Sequence, residues 1–176
     1  MEPRELERFE AVVLPHLNAA YGLARYLMRN DADADDVVQE ALLRAFRYFG
    51  GFRGEQASQS RAWVLAIVRN MASTWRRRRR ADEAATEFDE TVHSAAVDGE
   101  HPAAELERQD SRETLAQALD GLPPNLREVI VLREIEGLSY KEIGEVVDVP
   151  IGTVMSRLSR ARKRLQEALA ASSEER

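Results

Sequence analysis

The 176-residue chain contains no cysteine, which excludes a disulfide framework, a thiolate metal site and a thiol nucleophile. Aromatic residues are scarce, at 6%, and no apolar run approaches the roughly 18 residues of a membrane span. No strand-like alternation and no internal repeat is visible. The three histidines, His16, His93 and His101, stand apart without ligand spacing, so neither a metal nor a cofactor is expected. No Ser-His-Asp set, paired-carboxylate cleft or phosphate-cradling glycine loop can be assembled, and Gly50-Gly51 reads more simply as a helix terminator. The chain is therefore not expected to be an enzyme. Its opening, MEPRELERFE, carries acids where a secretion signal needs a basic end and an apolar stretch, so the expected location is cytoplasmic, without membrane insertion.

What is present in quantity is charge, unevenly spread. The net charge of −6 would by itself repel a polyanion. Yet residues 60–80 hold seven arginines and no acid, residues 150–164 hold five bases and no acid, and only 13 bases remain to face all 31 acids. A chain built this way meets nucleic acid through two patches, in a defined orientation or with a partner's help.

Apolar spacing predicts an all-α fold. Phe9, Val12, Val13, Leu17, Ala20, Leu23, Ala24 and Leu27 fall on one face of a helix that ends at Asn30-Asp31. Val37, Val38, Ala41, Leu42, Ala45, Phe46 and Phe49 mark a second helix, led in by acids that suit the positive end of a helix dipole and closed by Gly50-Gly51. Trp63, Ile67, Met71 and Trp75 mark a third, which runs into Arg76 to Arg80; the spacing favours a core position for Trp63 over base stacking. From Ala81 to Glu107 there are nine acids, no Lys or Arg, and almost no large apolar residue, a composition that reads as a linker, either a plain flexible tether or a polyanion mimic for a partner's basic channel. About 25 flexible residues span roughly 25–30 Å, at about 5–6 Å × √n. The expected architecture is two small helical domains, residues 1–80 and 111–176, joined by an acidic flexible linker over 81–110.

The second domain carries the informative motif. Leu115, Ala118, Leu119 and Leu122 precede Pro123-Pro124, and Leu126, Val129, Ile130, Val131 and Leu132 form a short apolar helix. Ser139-Tyr140-Lys141-Glu142 is a capping box, followed by Ile143, Val146 and Val147, a turn at Asp148-Val149-Pro150, and a long helix with Val154, Leu158, Ala161, Leu165 and Leu169 on one side. Short helix, tight turn, longer helix is the helix-turn-helix arrangement. The long helix's other faces hold Thr153, Ser156, Arg157, Ser159, Arg160, Arg162 and Lys163, donors for phosphates and base edges in a major groove. Tyr140 is expected to pack on the motif.

These stretches, from Gly121-Leu-Pro-Pro-Asn-Leu-Arg-Glu-Val to Ser139-Tyr-Lys-Glu-Ile-Gly and Pro150-Ile-Gly-Thr-Val-Met-Ser-Arg-Leu-Ser-Arg-Ala-Arg, closely resemble the C-terminal domain of extracytoplasmic-function sigma factors, the small sigma-70-family subunits of bacterial RNA polymerase. Asp33-Ala-Asp-Asp-Val-Val-Gln-Glu-Ala-Leu-Leu-Arg-Ala-Phe-Arg resembles that family's polymerase-binding helix, and Trp63-Val-Leu-Ala-Ile-Val-Arg-Asn its promoter-melting helix. Three matches in the right order cover most of the chain outside the linker.

The resemblance implies that Asp35, Asp36, Gln39, Glu40, Leu43, Arg44 and Arg47 dock on the clamp helices of the largest subunit of core RNA polymerase, with the second domain near the flap region. It implies that Phe52, Arg53, Gly54, Glu55, Gln56 and Ser58, with Arg69, Asn70, Arg76, Arg77, Arg78, Arg79 and Arg80, engage the minus-10 promoter DNA and hold an extruded base. Extrusion costs a few kcal/mol, and hydrogen-bonding groups with basic neighbours are the physical device that offsets it. It implies that Ser139, Thr153, Met155, Ser156, Arg157, Ser159, Arg160, Arg162 and Lys163 read the minus-35 element. Met155 stands where family members often place Lys or Arg, which removes a contact or makes it apolar, and the loop from Phe52 to Trp63 is slightly longer than the family pattern. An anti-sigma factor is the implied inhibitor, and the free chain is expected to be a monomer. Two rival readings are a stand-alone helix-turn-helix regulator, which would leave the 35–47 helix without a role, and a decoy that sequesters an anti-sigma factor, which has no need of the bases at 76–80 and 157–164.

Overall fold

The computed structural model describes residues 3–54, 56–85 and 103–174, and all regular structure among them is helical. The order is α1 (Pro3–Val13), α2 (Leu17–Met28), α3 (Asp31–Tyr48), α4 (Ala57–Ala85), α5 (Ala103–Asp120), α6 (Pro124–Ile130), α7 (Tyr140–Val147) and α8 (Ile151–Glu174). The periodicity from Phe9 to Leu27 predicts one helix, but the structure has two. Pro15 removes a backbone donor, and Leu14–His16 forms a 3-10 turn that separates α1 from α2.

Local chemistry sets the remaining ends. Arg29 closes α2 in the left-handed region, with φ 61°, and its backbone N–H donates to the Arg25 carbonyl at 3.0 Å. Asn30 caps α3 by accepting from the Asp33 N–H at 3.0 Å, with Asp31 and Asp33 in the first turn. Pro124 opens α6, where a missing N–H costs nothing. Residues Val131–Ile135 widen into a π turn, in which Glu136 N–H donates to the Val131 carbonyl at 3.0 Å, and Gly137 at φ 67° then redirects the chain. In α7 the capping box is complete: Ser139 Oγ accepts from the Glu142 N–H at 3.2 Å, and Glu142 accepts from the Ser139 N–H at 2.7 Å. Asp148 at φ 56° turns the chain into α8.

α2, α3 and α4 pack on one another, with α1 against α4, while α6, α7 and α5 pack on α8. The sequence predicts these two groups as separate domains on a tether. In the structure α4 packs against α7 and α2 against α6, and one buried cluster runs from Val13 through Leu65 and Val68 to Ile143, Leu158 and Ala161. Amphipathic periodicity shows that a face is covered without naming the partner, so this joining was invisible in the sequence. The predicted linker is also shorter at both ends, because α4 continues to Ala85 and α5 begins at Ala103. Residues 86–102, with His93 and His101, lie outside the described residues.

α1 braces the end of α3 and the loop that follows. Phe9 meets Phe46 and Phe49 edge-on, both at 5.3 Å between ring centres, and Arg8 lies 5.1 Å over the Phe49 ring. The Arg8 guanidinium also donates to the Phe52 carbonyl at 3.1 Å.

Candidate functional site

α3 presents its polar face outward. Asp35, Asp36, Gln39, Glu40, Leu43 and Arg47 are exposed, Arg44 is half-buried, and Arg44 pairs with Glu40 at 3.5 Å. Leu43 is 55% exposed, and with Asp36, Gln39, Glu40 and Arg44 it borders a groove of about 350 Å³ between α3 and α4, lined on the far side by Thr74, Trp75 and Arg78. Phe46, 41% exposed, lies one turn along from Leu43 on the same side of α3, although the helical period predicts a core position for it. An apolar strip edged by acids and amides suits a helix from another protein.

The loop after α3 is folded over a buried ring. Phe52 is buried, stacked on Phe49 and tilted 4.7 Å from Trp63, so it offers only its main chain to a ligand. Trp63 takes the packing role its spacing predicts. Gly54 is required here, since a Cβ at that position would fall 2.3 Å from the Phe52 ring. Arg53 turns back to donate to the Gly50 and Phe52 carbonyls, while Gln56 and Ser58 are exposed and Glu55 lies outside the described residues. On α4, Asn70 and Arg77 to Arg80 are exposed, with Arg79 paired to Asp33 and Arg77 donating to Thr74 at 3.4 Å.

On α8, 100° per residue separates three kinds of position. Val154, Leu158 and Ala161 are buried. Opposite them, Ser156, Ser159, Arg160 and Lys163 form the outward face, with Met155 beside them at 53% exposure. Arg157 and Arg162 flank the buried stripe: Arg162 donates to Glu134 at 2.7 Å, which raises its pKa further, and Thr153 is half-buried. Ser139 is exposed but engaged in the capping box. Tyr140 packs with Arg133, 5.0 Å over its ring.

The structure brings Arg69 and Arg157 onto one carboxylate. Glu128 of α6, only 2% exposed, accepts from Arg69 Nε at 2.9 Å and Nη2 at 3.0 Å, and from Arg157 Nη1 at 3.4 Å. Arg76 lies beside this cluster. Burial lowers its pKa, nearby Glu128 opposes that, Arg69 and Arg80 add to it, and its Nη1 is buried without a hydrogen-bond partner. Two further pairs cross between the groups, Arg61 with Glu136 at 2.9 Å and Arg29 with Asp120 at 3.1 Å. Burial lowers the pKa of half-buried His16, and the Arg61 charge lowers it further. Sequence reasoning does not find the buried charges Glu128 and Arg127 or the pairing role of Arg61 and Glu136. The only signal there is two ionisable residues inside the apolar run from Leu126 to Leu132.

Among the described residues no group of His, Asp and Glu could hold a metal, and no helix is long and apolar enough to cross a membrane. Family models for sigma-70 region 2 and sigma-70 region 4 match residues 12–82 and 112–165. The RNA polymerase sigma-H factor of Pseudomonas aeruginosa is 38% identical over 168 residues, covering 92% of this chain and 86% of the relative. The ECF RNA polymerase sigma-E factor of Haemophilus influenzae is 36% identical over 170 residues, covering 92% and 87%. Among solved structures, the sigma factor RpoE from Bartonella quintana, crystallised with the anti-sigma factor NepR, superposes with a TM-score of 0.78 at 28% identity, covering 93% of this chain and 98% of that one. CnrH in complex with the cytosolic domain of CnrY gives 0.65 at 29% identity, covering 94% and 90%. Two separated family matches, near full-length relatives and a shared fold agree with the helix-turn-helix and the polar α3 face: the chain belongs to the extracytoplasmic-function sigma factors, non-enzymatic subunits of the sigma-70 family that bind core RNA polymerase and direct it to promoters.

Proposed function

We propose a division of that work among the surfaces described. Residues 1–80 form the polymerase-binding and minus-10 domain, residues 111–176 the minus-35 domain, and the intervening acidic segment the connection that lets them part. Asp35, Asp36, Gln39, Glu40, Leu43, Arg44 and Arg47 dock on the clamp helices. Arg53, Gln56, Ser58, Asn70 and Arg77 to Arg80 serve the minus-10 DNA from exposed positions, joined by Arg69 and Arg76 once the groups separate. Ser156, Ser159, Arg160 and Lys163 lie in the major groove of the minus-35 element, with Arg157 and Arg162 at its edges. The chain works in the cytoplasm, where polymerase is, and a separate anti-sigma protein restrains it, as the complexes of RpoE and CnrH suggest by analogy.

The observation that carries this reading is the outward face of α8. Within an acidic chain, a helix leaves Ser156, Ser159, Arg160 and Lys163 together on its solvent side, where phosphates and base edges can be met. Run-off transcription with core polymerase tests it, with wild-type protein beside Arg160→Ala/Lys163→Ala. Discrete transcripts that fade in the double variant support the assignment. The salt dependence of promoter binding should also flatten, by about one unit of slope for each phosphate the variant leaves unneutralised. Equal transcription by both proteins refutes the assignment, and no transcripts despite tight core binding turns the reading toward the decoy.

A further inference from the structure

We propose that α6 carries an acidic latch that keeps the free chain closed: Glu128 occupies Arg69 and Arg157, one base from each surface assigned above to promoter DNA, and must release both before either can meet a phosphate. The proposal rests on that assignment of Arg69 and Arg157.

Three observations carry it. First, Glu128 is seated where its charge has no other outlet, at 2% exposure between two guanidiniums whose side chains are themselves 22% and 19% exposed. Arg69 meets it with two parallel N–H donors, the fork-to-carboxylate geometry that arginine also offers a phosphate. Second, three ion pairs that cross between the groups among the described residues share one polarity. In Arg69–Glu128, Arg61–Glu136 and Arg29–Asp120 the base comes from α4 or the cap of α2, and the acid from α5, α6 or the end of the π turn. The second group thus lends carboxylates to the first group's cations, and at Arg69 the carboxylate stands in the place a nucleic-acid backbone would take.

Third, the latch is overcharged. Arg69, Arg76 and Arg157 crowd one carboxylate, and Arg76 keeps a buried Nη1 without a partner. One acid against three guanidiniums leaves cationic repulsion in the closed form, together with an unsatisfied donor. A polyanion satisfies all three at once, which the single carboxylate does not. The closed arrangement therefore holds the chain in the absence of its partners and gives way when polymerase separates the groups beside DNA.

The absence of native cysteine makes a clean test. Ala32→Cys on α3 and Ala170→Cys on α8, both exposed, accept a donor and an acceptor dye on the full chain. Single-molecule energy transfer reports closure, and fluorescence anisotropy reports binding of a labelled minus-35/minus-10 promoter duplex by the free chain. Two latch variants are compared with wild type: Glu128→Gln, and Glu128→Asp, which keeps the buried charge but draws it back from both guanidiniums should the first variant lose helicity by circular dichroism. We expect one compact wild-type population, and in the folded variants an open-to-closed ratio raised about tenfold or more, the equivalent of about 1.4 kcal/mol. Free-chain affinity for the duplex should rise in step. Unchanged transfer in folded Glu128→Gln, or in Glu128→Asp if Glu128→Gln is unfolded, overturns the latch. Opening without a gain in DNA affinity overturns its inhibitory role. The underlying assignment is checked apart from both: it fails if Arg69→Ala and Arg157→Ala leave promoter use by the polymerase holoenzyme unaltered.

Discussion

Arg127 is the residue whose removal should do most damage without touching any proposed contact surface. It is 3% exposed, and its guanidinium ties together the turn between α5 and α6: Nε donates to the Leu119 carbonyl at 2.8 Å, and Nη2 to the carbonyls of Asp120 at 2.6 Å and Leu122 at 2.9 Å. They lie at the end of α5 and in the turn after it, where carbonyls run out of helical N–H partners; Leu119 alone also accepts from the Leu122 N–H, at 3.1 Å. Burial lowers the arginine's pKa, but the group stays charged at any ordinary pH. Arg127→Ala strands the Asp120 and Leu122 carbonyls at about 1–3 kcal/mol for each one that stays buried, while Leu119 keeps the Leu122 N–H; with the stem's packing lost as well, a loss of about 4 kcal/mol is expected. Arg127→Met restores the stem's packing and should cost about 3 kcal/mol. Arg127→Lys keeps a charge that can serve one carbonyl at a time and should cost about 2 kcal/mol. Urea unfolding of the full chain, followed by far-ultraviolet circular dichroism, gives the midpoints and slopes. A loss under about 1 kcal/mol for Arg127→Ala, or a Lys variant less stable than the Ala variant, would refute the reasoning.

The capping box should be worth about 1 kcal/mol, measured as the urea-midpoint loss in Ser139→Ala. Its partner is pH-sensitive: hydrogen bonds from the Ser139 backbone and side chain lower the Glu142 pKa below the ordinary carboxylate value. A carboxylate held low in the folded chain stabilises it above the ordinary range and stops doing so as pH falls through the folded value, so the gap between wild type and Glu142→Ala should be full at about pH 7 and close toward about pH 3. Gly144→Ala places a Cβ 2.9 Å from the Val149 backbone carbonyl, which should cost about 1–3 kcal/mol and weaken minus-35 duplex binding by displacing α8 against α7, read by thermal denaturation and anisotropy. Gly152→Ala meets nothing within 4 Å and should instead raise the melting temperature of the free chain, by the equivalent of about 0.5–1 kcal/mol.

Much of this molecule could be read before its structure. The helix-turn-helix was legible because each part is local: Ser139 with Glu142 makes a cap, Asp148-Val149-Pro150 a turn, and Val154, Leu158 and Ala161 a stripe, all within a few residues of one another. The break at Pro15 was also local and was overridden by the apolar period running through it, although a proline without a donor is the stronger signal. What stayed hidden is non-local. Nothing near Glu128 in the chain marks Arg69 as its partner, because the pairing depends on α4 meeting α6 and α7 across the length of the molecule. The candidate surfaces divide along the same line. Exposed Arg160 and Lys163 sit where periodicity places them, whereas Arg157, one turn before Arg160, is drawn inward by an acid that only the folded chain supplies. Phe52 likewise sits in a loop by sequence and in a ring cluster by structure, since its partners Phe49 and Trp63 come from two different helices.

The brace made by α1 also changes when the loop's order is acquired. Arg8 and Phe9 hold the Phe49–Phe52 corner from a helix 44 residues away in sequence, by a hydrogen bond to main chain and by ring contacts that involve no nucleotide. Fixing backbone costs about 1–2 kcal/mol of conformational entropy per residue, so a loop ordered only on meeting DNA would subtract several kcal/mol from every initiation event. Held by α1, the same ordering is met once, during folding, and each later promoter encounter begins with the corner already set.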